Sequence, residues 1–158
     1  MINFISPYIE LPKKLTVKQN LNVYAKLYKV QNIEERIEYL SEKLRIEELL
    51  DSITGELSSG QKNRVSLAKA LINEPRVLLL DEPTASLDPE VGDFVRTFLE
   101  EYKQEKKISV LLASHNMSEV TRLCKSVLMM KNGEIIDQGK PDDLITKHGR
   151  TNLEEVFL

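Results

Sequence analysis

Two acids stand together at Asp81-Glu82, directly after the apolar run Val77–Leu80. Open α/β sheets place ligands outside the carboxyl ends of buried parallel strands, so an acidic pair there is in the right place for chemistry. Asp81 suits a magnesium ion held through water, because magnesium sheds its waters reluctantly. Glu82 is one residue on and points the other way, where it could polarise an attacking water as a general base. The competing reading is a strand that simply ends in solvated acids. Some twenty residues earlier, Ser58, Ser59 and Gly60 open a helical stripe of Val65, Leu67, Ala68, Leu71 and Ile72. Unpaired N–H groups and the helix dipole make such an end attractive to anions, and small residues let a phosphate approach. The competing reading there is a plain helix cap.

Context decides between these readings. Asp81 to Asp88 reads Asp-Glu-Pro-Thr-Ala-Ser-Leu-Asp, and Leu57 to Gln61 reads Leu-Ser-Ser-Gly-Gln. The first resembles the Walker B motif and D-loop of ATP-binding cassette (ABC) ATPases, and the second their signature motif. Ser114-His115, after the next strand, resembles their switch histidine. The resemblance covers essentially the whole chain as the C-terminal two-thirds of such a domain, including the LTVKQNL helix start and the KNGEIIDQG hairpin. It implies ATP and Mg2+ as cofactors, with Asp81 at the metal, Glu82 and His115 as catalytic residues, and Ser58, Ser59, Gly60, Gln61 and Asp88 as nucleotide-binding residues. Ser59 stands where the commonest form of the signature has glycine, which adds a hydroxyl and some bulk. In the family this helix end reaches across a dimer to ATP held by the other subunit, and Asp88 would act at the dimer seam.

The phosphate-binding loop G-x-x-x-x-G-K-[ST] does not occur in these 158 residues. Gly55 and Gly60 have its separation, but Gln61 stands where lysine is required. The family's magnesium-linking glutamine should fall near Ser6-Pro7, and neither residue supplies its amide chemistry. The chain alone is therefore expected to grip ATP weakly and not to turn it over. Strand edges left uncovered should make it marginally stable or prone to aggregate.

The elements that would position these groups read as follows. Thr16 caps a helix to about Lys29, and Asn32 caps a second carrying Ile33, Ile37, Leu40 and Leu44. Ile46–Leu50 forms a further turn, and Pro75 ends the helix that starts at Gly60. Asp88-Pro89 is a cap with a first-turn proline, followed by a stripe of Val91, Phe94, Val95, Phe98, Leu99 and Tyr102. Ile108–Ala113 reads as a second buried strand and Val127–Met130 as a third. Asn116 caps the helix between them, and Asn132-Gly133 turns into a fourth strand, Glu134–Asp137. Pro141 and Asn152 start two short helices, while residues 1–15 look irregular. The expected fold is α/β: a partial P-loop NTPase core, a parallel sheet with flanking helices, plus a small α-helical subdomain. The expected partition is 1–76 for the helical subdomain and signature helix, 77–140 for the C-terminal half of the ATPase core, and 141–158 for a helical tail.

Bulk properties narrow the partners. The net charge of −3 offers no positive field to collect nucleic acid. One cysteine, Cys124 in an apolar stretch, reads as a core residue, and the two histidines lack the neighbours of a zinc site. No apolar run approaches the ~18 residues of a membrane span, and the N-terminus does not read as a signal peptide. The resemblance then implies an ATP-binding subunit of an export transporter, since NLEEVFL resembles the end of cassettes serving ABC-2 permeases. Its partners would be a membrane permease on a separate chain, docking near residues 1–20, and a second ATP-binding subunit. Its place would be cytoplasmic, peripheral to the inner face of the membrane. A non-catalytic half-site partner and a soluble ABC ATPase of repair or translation are the alternatives.

Overall fold

The computed structural model describes residues 1–7 and 10–157; Tyr8 and Ile9 of the stretch read as irregular, and Leu158 at the end of the tail, lie outside these. The chain divides into two compact units, Met1–Ala113 and Ser114–Leu158.

The first unit is built on a three-stranded parallel sheet in the order β1 (Ile2–Ile5), β2 (Val77–Asp81), β3 (Ser109–Ala113). Ile2 lies beside Val77 and Val77 beside Ser109, so the acidic end of the central strand is level with Ala113. One face carries Asn3, Ile5, Leu78 and Leu80, all buried. The helices that supply its partners are α3 (Ser59–Leu71) and α4 (Pro89–Lys106), through stripes that include Val65, Ala68, Leu71, Val95, Leu99 and Tyr102. The opposite face leaves Ile2, Phe4 and Leu111 exposed.

Two expectations about this sheet need correction. β1 lies in the stretch read as irregular. It is four residues long, turns a polar Asn3 inward and is followed by prolines, which together hide the alternation. Ile108–Ala113 is not buried on both faces: it is an edge strand starting at Ser109, with Leu111 63% exposed.

The helical part comprises α1 (Val17–Leu27), α2 (Ile33–Leu44) and short 3-10 turns at Glu47–Leu49 and Thr54–Glu56. Thr16 caps α1 through a reciprocal box with Gln19. Asn32 precedes α2 as expected but makes no side-chain cap; its backbone is left-handed, at φ 51°. The sequence between these helices and α3 is fastened to the start of α1. Lys18 N donates to Leu50 O, Thr54 N to Leu15 O and Gly55 N to Lys13 O. Buried Asn20 adds Nδ2 bonds to Thr54 Oγ1 at 2.8 Å and to Pro12 O at 3.1 Å. A Cβ on Gly55 would stand 2.9 Å from Lys13 O, so this close approach requires glycine.

Helices α2 and α3 close each other's ends. Arg36 of α2 donates from Nη2 to Leu71 O at 2.6 Å and from Nε to Ile72 O at 3.2 Å, where α3 runs out of partners. Arg64 of α3 donates from Nη1 to Leu44 O at 3.1 Å and also to Arg45 O, at the end of α2. Cationic groups at carbonyl ends also complement the helix dipoles. α3 ends at Leu71, before Pro75 is reached, and Arg36 satisfies the carbonyls left at that end.

The second unit contains α5 (Met117–Leu123), β4 (Val127–Lys131), β5 (Glu134–Gly139), α6 (Pro141–Lys147) and α7 (Leu153–Phe157). Asn116 caps α5 by accepting from Ser118 N and Glu119 N. β4 was expected in the parallel sheet; instead it pairs antiparallel with β5 in a separate two-stranded sheet. The Asn132-Gly133 turn, with φ of 52° and 82°, forms as expected and folds β5 back along one edge of β4, while an apolar run does not by itself specify which strand lies beside it. Asp137 of β5 holds the end of α6, accepting from Lys147 Nζ and pairing with His148 Nε2, each at 2.7 Å. Those bonds, lysine's first, pull its carboxyl from 3.8 to about 2.

Candidate functional site

Residues Ser58–Gln61, Asp81, Glu82 and Asp88 all belong to the first unit, and His115 to the second. His115 is exposed in the turn Ser114–Asn116, where Ser114 Oγ accepts from Asn116 N at 3.0 Å.

Asp81 and Glu82 sit at the carboxyl end of the central strand, both half-buried. Glu82 N donates to Ala113 O at 2.9 Å, which carries the ladder one residue past the strand. Glu82 is at φ 49°, a left-handed conformation that costs a non-glycine residue about 1 kcal/mol. The turn that imposes it continues with Ala85 N to Glu82 O and Leu87 N to Thr84 O. Thr84 is buried, and Arg96 of α4 reaches its Oγ1 at 3.5 Å.

The turn ends at Asp88, whose Oδ1 accepts from Val91 N at 3.0 Å as the cap of α4. Asp88 therefore has a structural duty whatever else it does. Asp88→Ala is expected to cost about 1 kcal/mol of stability, whereas Asp88→Ser, which can still cap, should cost a few tenths. Urea melts of the two variants read this directly.

The start of α3 is a capping box. Ser58 Oγ accepts from Gln61 N at 3.2 Å, and Gln61 Oε1 accepts from Ser58 N at 2.9 Å. Ser58 and Gln61 are thus occupied with each other, while the Ser59 and Gly60 amides of the first turn have no intrahelical acceptor. Gly60 faces the turn after β2: a Cβ there would meet Leu87 Cδ2 and Ser86 O, each at 3.4 Å. The structure therefore brings the signature-like helix start and the Asp81–Asp88 turn together in one unit.

One contact had no sequence signal. Ser6, set aside for lacking an amide, donates from Oγ to Asp81 Oδ2 at 2.9 Å. It also lines a cleft of about 190 Å³ with Ser59, Lys62, Asn63 and Ser86.

Among the described residues no three of His, Cys, Asp and Glu gather as a metal cage. A single carboxylate at a strand end fits magnesium, which keeps several waters and takes one or two carboxylates plus substrate phosphates. The open amides of α3 fit an anionic oxygen.

The comparisons with known proteins agree on one family. The family model described as "ABC transporter" matches residues 2–85. The chain is 35% identical over 147 residues to the ABC transporter ATP-binding protein NatA of Bacillus subtilis (strain 168), covering 92% of this chain and 59% of that protein. It is 34% identical to the Nod factor export ATP-binding protein I of Rhizobium sp. (strain N33), over 99% of this chain and 52% of that protein. It is 38% identical to the methionine import ATP-binding protein MetN 1 of Bacillus cereus (strain ATCC 10987 / NRS 248), over 92% and 42%. A solved ATP-binding subunit of an ABC transporter superposes with a TM-score of 0.84 at 27% identity, over 99% of this chain and 66% of that one. The chain thus spans about half the length of the curated relatives it matches. With the α/β core, the acidic strand end and the serine-rich helix start on one unit, the chain belongs to the ABC transporter family, as part of its ATP-binding domain.

Proposed function

We propose that this chain contributes to an ATP-hydrolysing subunit that powers export through a separate membrane permease. The observation that carries the proposal is the meeting of Gly60 with Ser86–Leu87 beside the Asp81-Glu82 strand end. In this reading Asp81 holds Mg2+ through water, Glu82 is the general base and His115 bonds the terminal phosphate. Bound Mg2+ would supply charge neutralisation at the phosphates. Ser58, Ser59, Gly60 and Gln61 present the α3 start to ATP on a second ATP-binding subunit, and Asp88 lies at the seam. The functional partition follows: residues 1–76 carry the signature helix, 77–140 the hydrolytic acids and switch histidine, and 141–158 a tail.

Export rather than import is proposed on the resemblance of the C-terminal NLEEVFL to the end of cassettes serving ABC-2 permeases. No helix among the described residues is long and apolar enough to cross a membrane. In this reading the permease is a separate chain and the subunit lies at the inner membrane face. The net charge of −3 supports a partner other than nucleic acid.

The test is a mixed dimer of the full-length protein. Ser59→Arg, placed in one subunit only, should abolish hydrolysis of the ATP facing it, because a long cation fills the space a phosphate needs. A mixed dimer with unchanged turnover at both ATP sites would overturn the reading. A signature face used only in support of an active partner would give the same loss at the partner's ATP, but Glu82→Gln in this chain would then be silent.

A further inference from the structure

We infer that Ser6 is a positioning residue for the Asp81 carboxylate, and so tunes how tightly the site takes its divalent cation. This inference rests on the proposed role of Asp81. Ser6 is the first residue after β1, in parallel register with the strand that ends in Asp81. The register fixes the distance: Ile5 lies beside Leu80, so the residues that follow each strand also lie side by side. Ser6 is 7% exposed, and its hydroxyl donates to Asp81 Oδ2 at 2.9 Å.

A carboxylate with one oxygen bound in this way cannot rotate freely. Its second oxygen keeps a fixed direction in which to receive a metal-bound water. Partners that orient a ligating group in other metal sites change metal affinity 10–100-fold when removed. Ser6 also lines the cleft that runs past Ser59, Lys62 and Ser86. The same side chain therefore touches the cleft and the acid. Nothing in the residue-type pattern marks this role, because serine has neither charge nor amide to suggest it.

The experiment compares Ser6→Ala, Ser6→Thr and Asp81→Asn in the full-length protein with ATP present, using Mn2+ as the probe and its EPR signal to measure bound ion. The expected result is about tenfold weaker Mn2+ binding in Ser6→Ala, with most of the loss restored by Ser6→Thr, which keeps the hydroxyl. ATP binding measured without the metal should not change. Ser6→Ala with native Mn2+ affinity, alongside a large loss in Asp81→Asn, would overturn the role of Ser6 and leave that of Asp81 standing. Native affinity in Asp81→Asn as well would overturn the metal reading itself. Equal losses in Ser6→Ala and Ser6→Thr would show that packing, not the hydroxyl, matters, and would also overturn the inference.

Discussion

Glu82→Gln in the full-length protein is expected to lower ATP turnover 10²–10⁴-fold while leaving ATP binding within about twofold of native. The glutamine keeps the size, and its amide can still hold a water, but it cannot accept a proton. The fold should tolerate the change for a structural reason. Glu82 is held at φ 49° by its bond to Ala113 O and by the turn to Ala85, both made through the backbone. Glutamine enters that region at much the same cost as glutamate. Binding and chemistry therefore separate: a single-turnover assay should show ATP retained and uncleaved, and mixed subunits should accumulate in the ATP-bound dimer. If Glu82→Gln hydrolysed ATP at the native rate while Asp81→Asn did not, the base would have to lie elsewhere.

The largest effect on stability is expected at Arg36. Its side chain is 12% exposed and serves four acceptors at once: Leu71 O, Ile72 O, Tyr102 Oη at 3.1 Å and the Glu74 carboxylate at 3.3 Å. It also lies over the Tyr39 ring at 5.2 Å. Arg36→Ala would strand the carbonyls ending α3 and leave Tyr102 without this donor. Burial already raises the Tyr102 phenol above its ordinary 10.0, so its hydroxyl stays a neutral partner that needs a replacement bond. Unpaired buried groups cost 1–3 kcal/mol each, partly relieved by water, which gives about 3–4 kcal/mol in all. That is a large share of the 5–15 kcal/mol that stabilises a typical domain. Arg36→Lys should recover less than half, because one ammonium cannot reach acceptors spread across a planar fork. Chemical denaturation followed by far-UV circular dichroism measures both; a loss below about 1 kcal/mol in Arg36→Ala would refute the assignment.

How far the sequence revealed these features depends on the range of the interaction. Local chemistry was legible. Thr16 before α1, Asp88 with Pro89, Asn116 before α5 and the Asn132-Gly133 turn each act within a few residues, and each forms as its residue types predict. The acidic pair was legible because the apolar strand before it is central, and a central strand announces itself by an unbroken run. Long-range pairing was not. β1 joins β2 across more than seventy residues, with a buried Asn3 whose Nδ2 reaches Asn73 Oδ1 at 2.6 Å. An inward asparagine breaks the apolar pattern, and only its distant partner explains it. The apolar run Val127–Met130 reads as part of the parallel sheet but lies in the hairpin, because an apolar run does not specify its neighbour. The bond from Ser6 to Asp81 and the arginine contacts of α2 and α3 were invisible for the same reason: side-chain reach carries no period.

Those arginine contacts also govern how the molecule opens. A helix ordinarily frays from its ends, and the final turn exchanges its amide hydrogens first. Here fraying of α3 at Leu71 must release Arg36, which loosens α2, and fraying of α2 at Leu44 must release Arg64, which loosens α3. Neither end can open cheaply, so the amides of the two helices are expected to exchange together as one cooperative unit. Ser59 and Gly60 stand at the far end of α3 within that unit. A push on α2 is therefore expected to reach the serine-rich turn with little lost in local unwinding, and amide exchange at Ser59–Gln61 in an Arg64→Ala variant measures it.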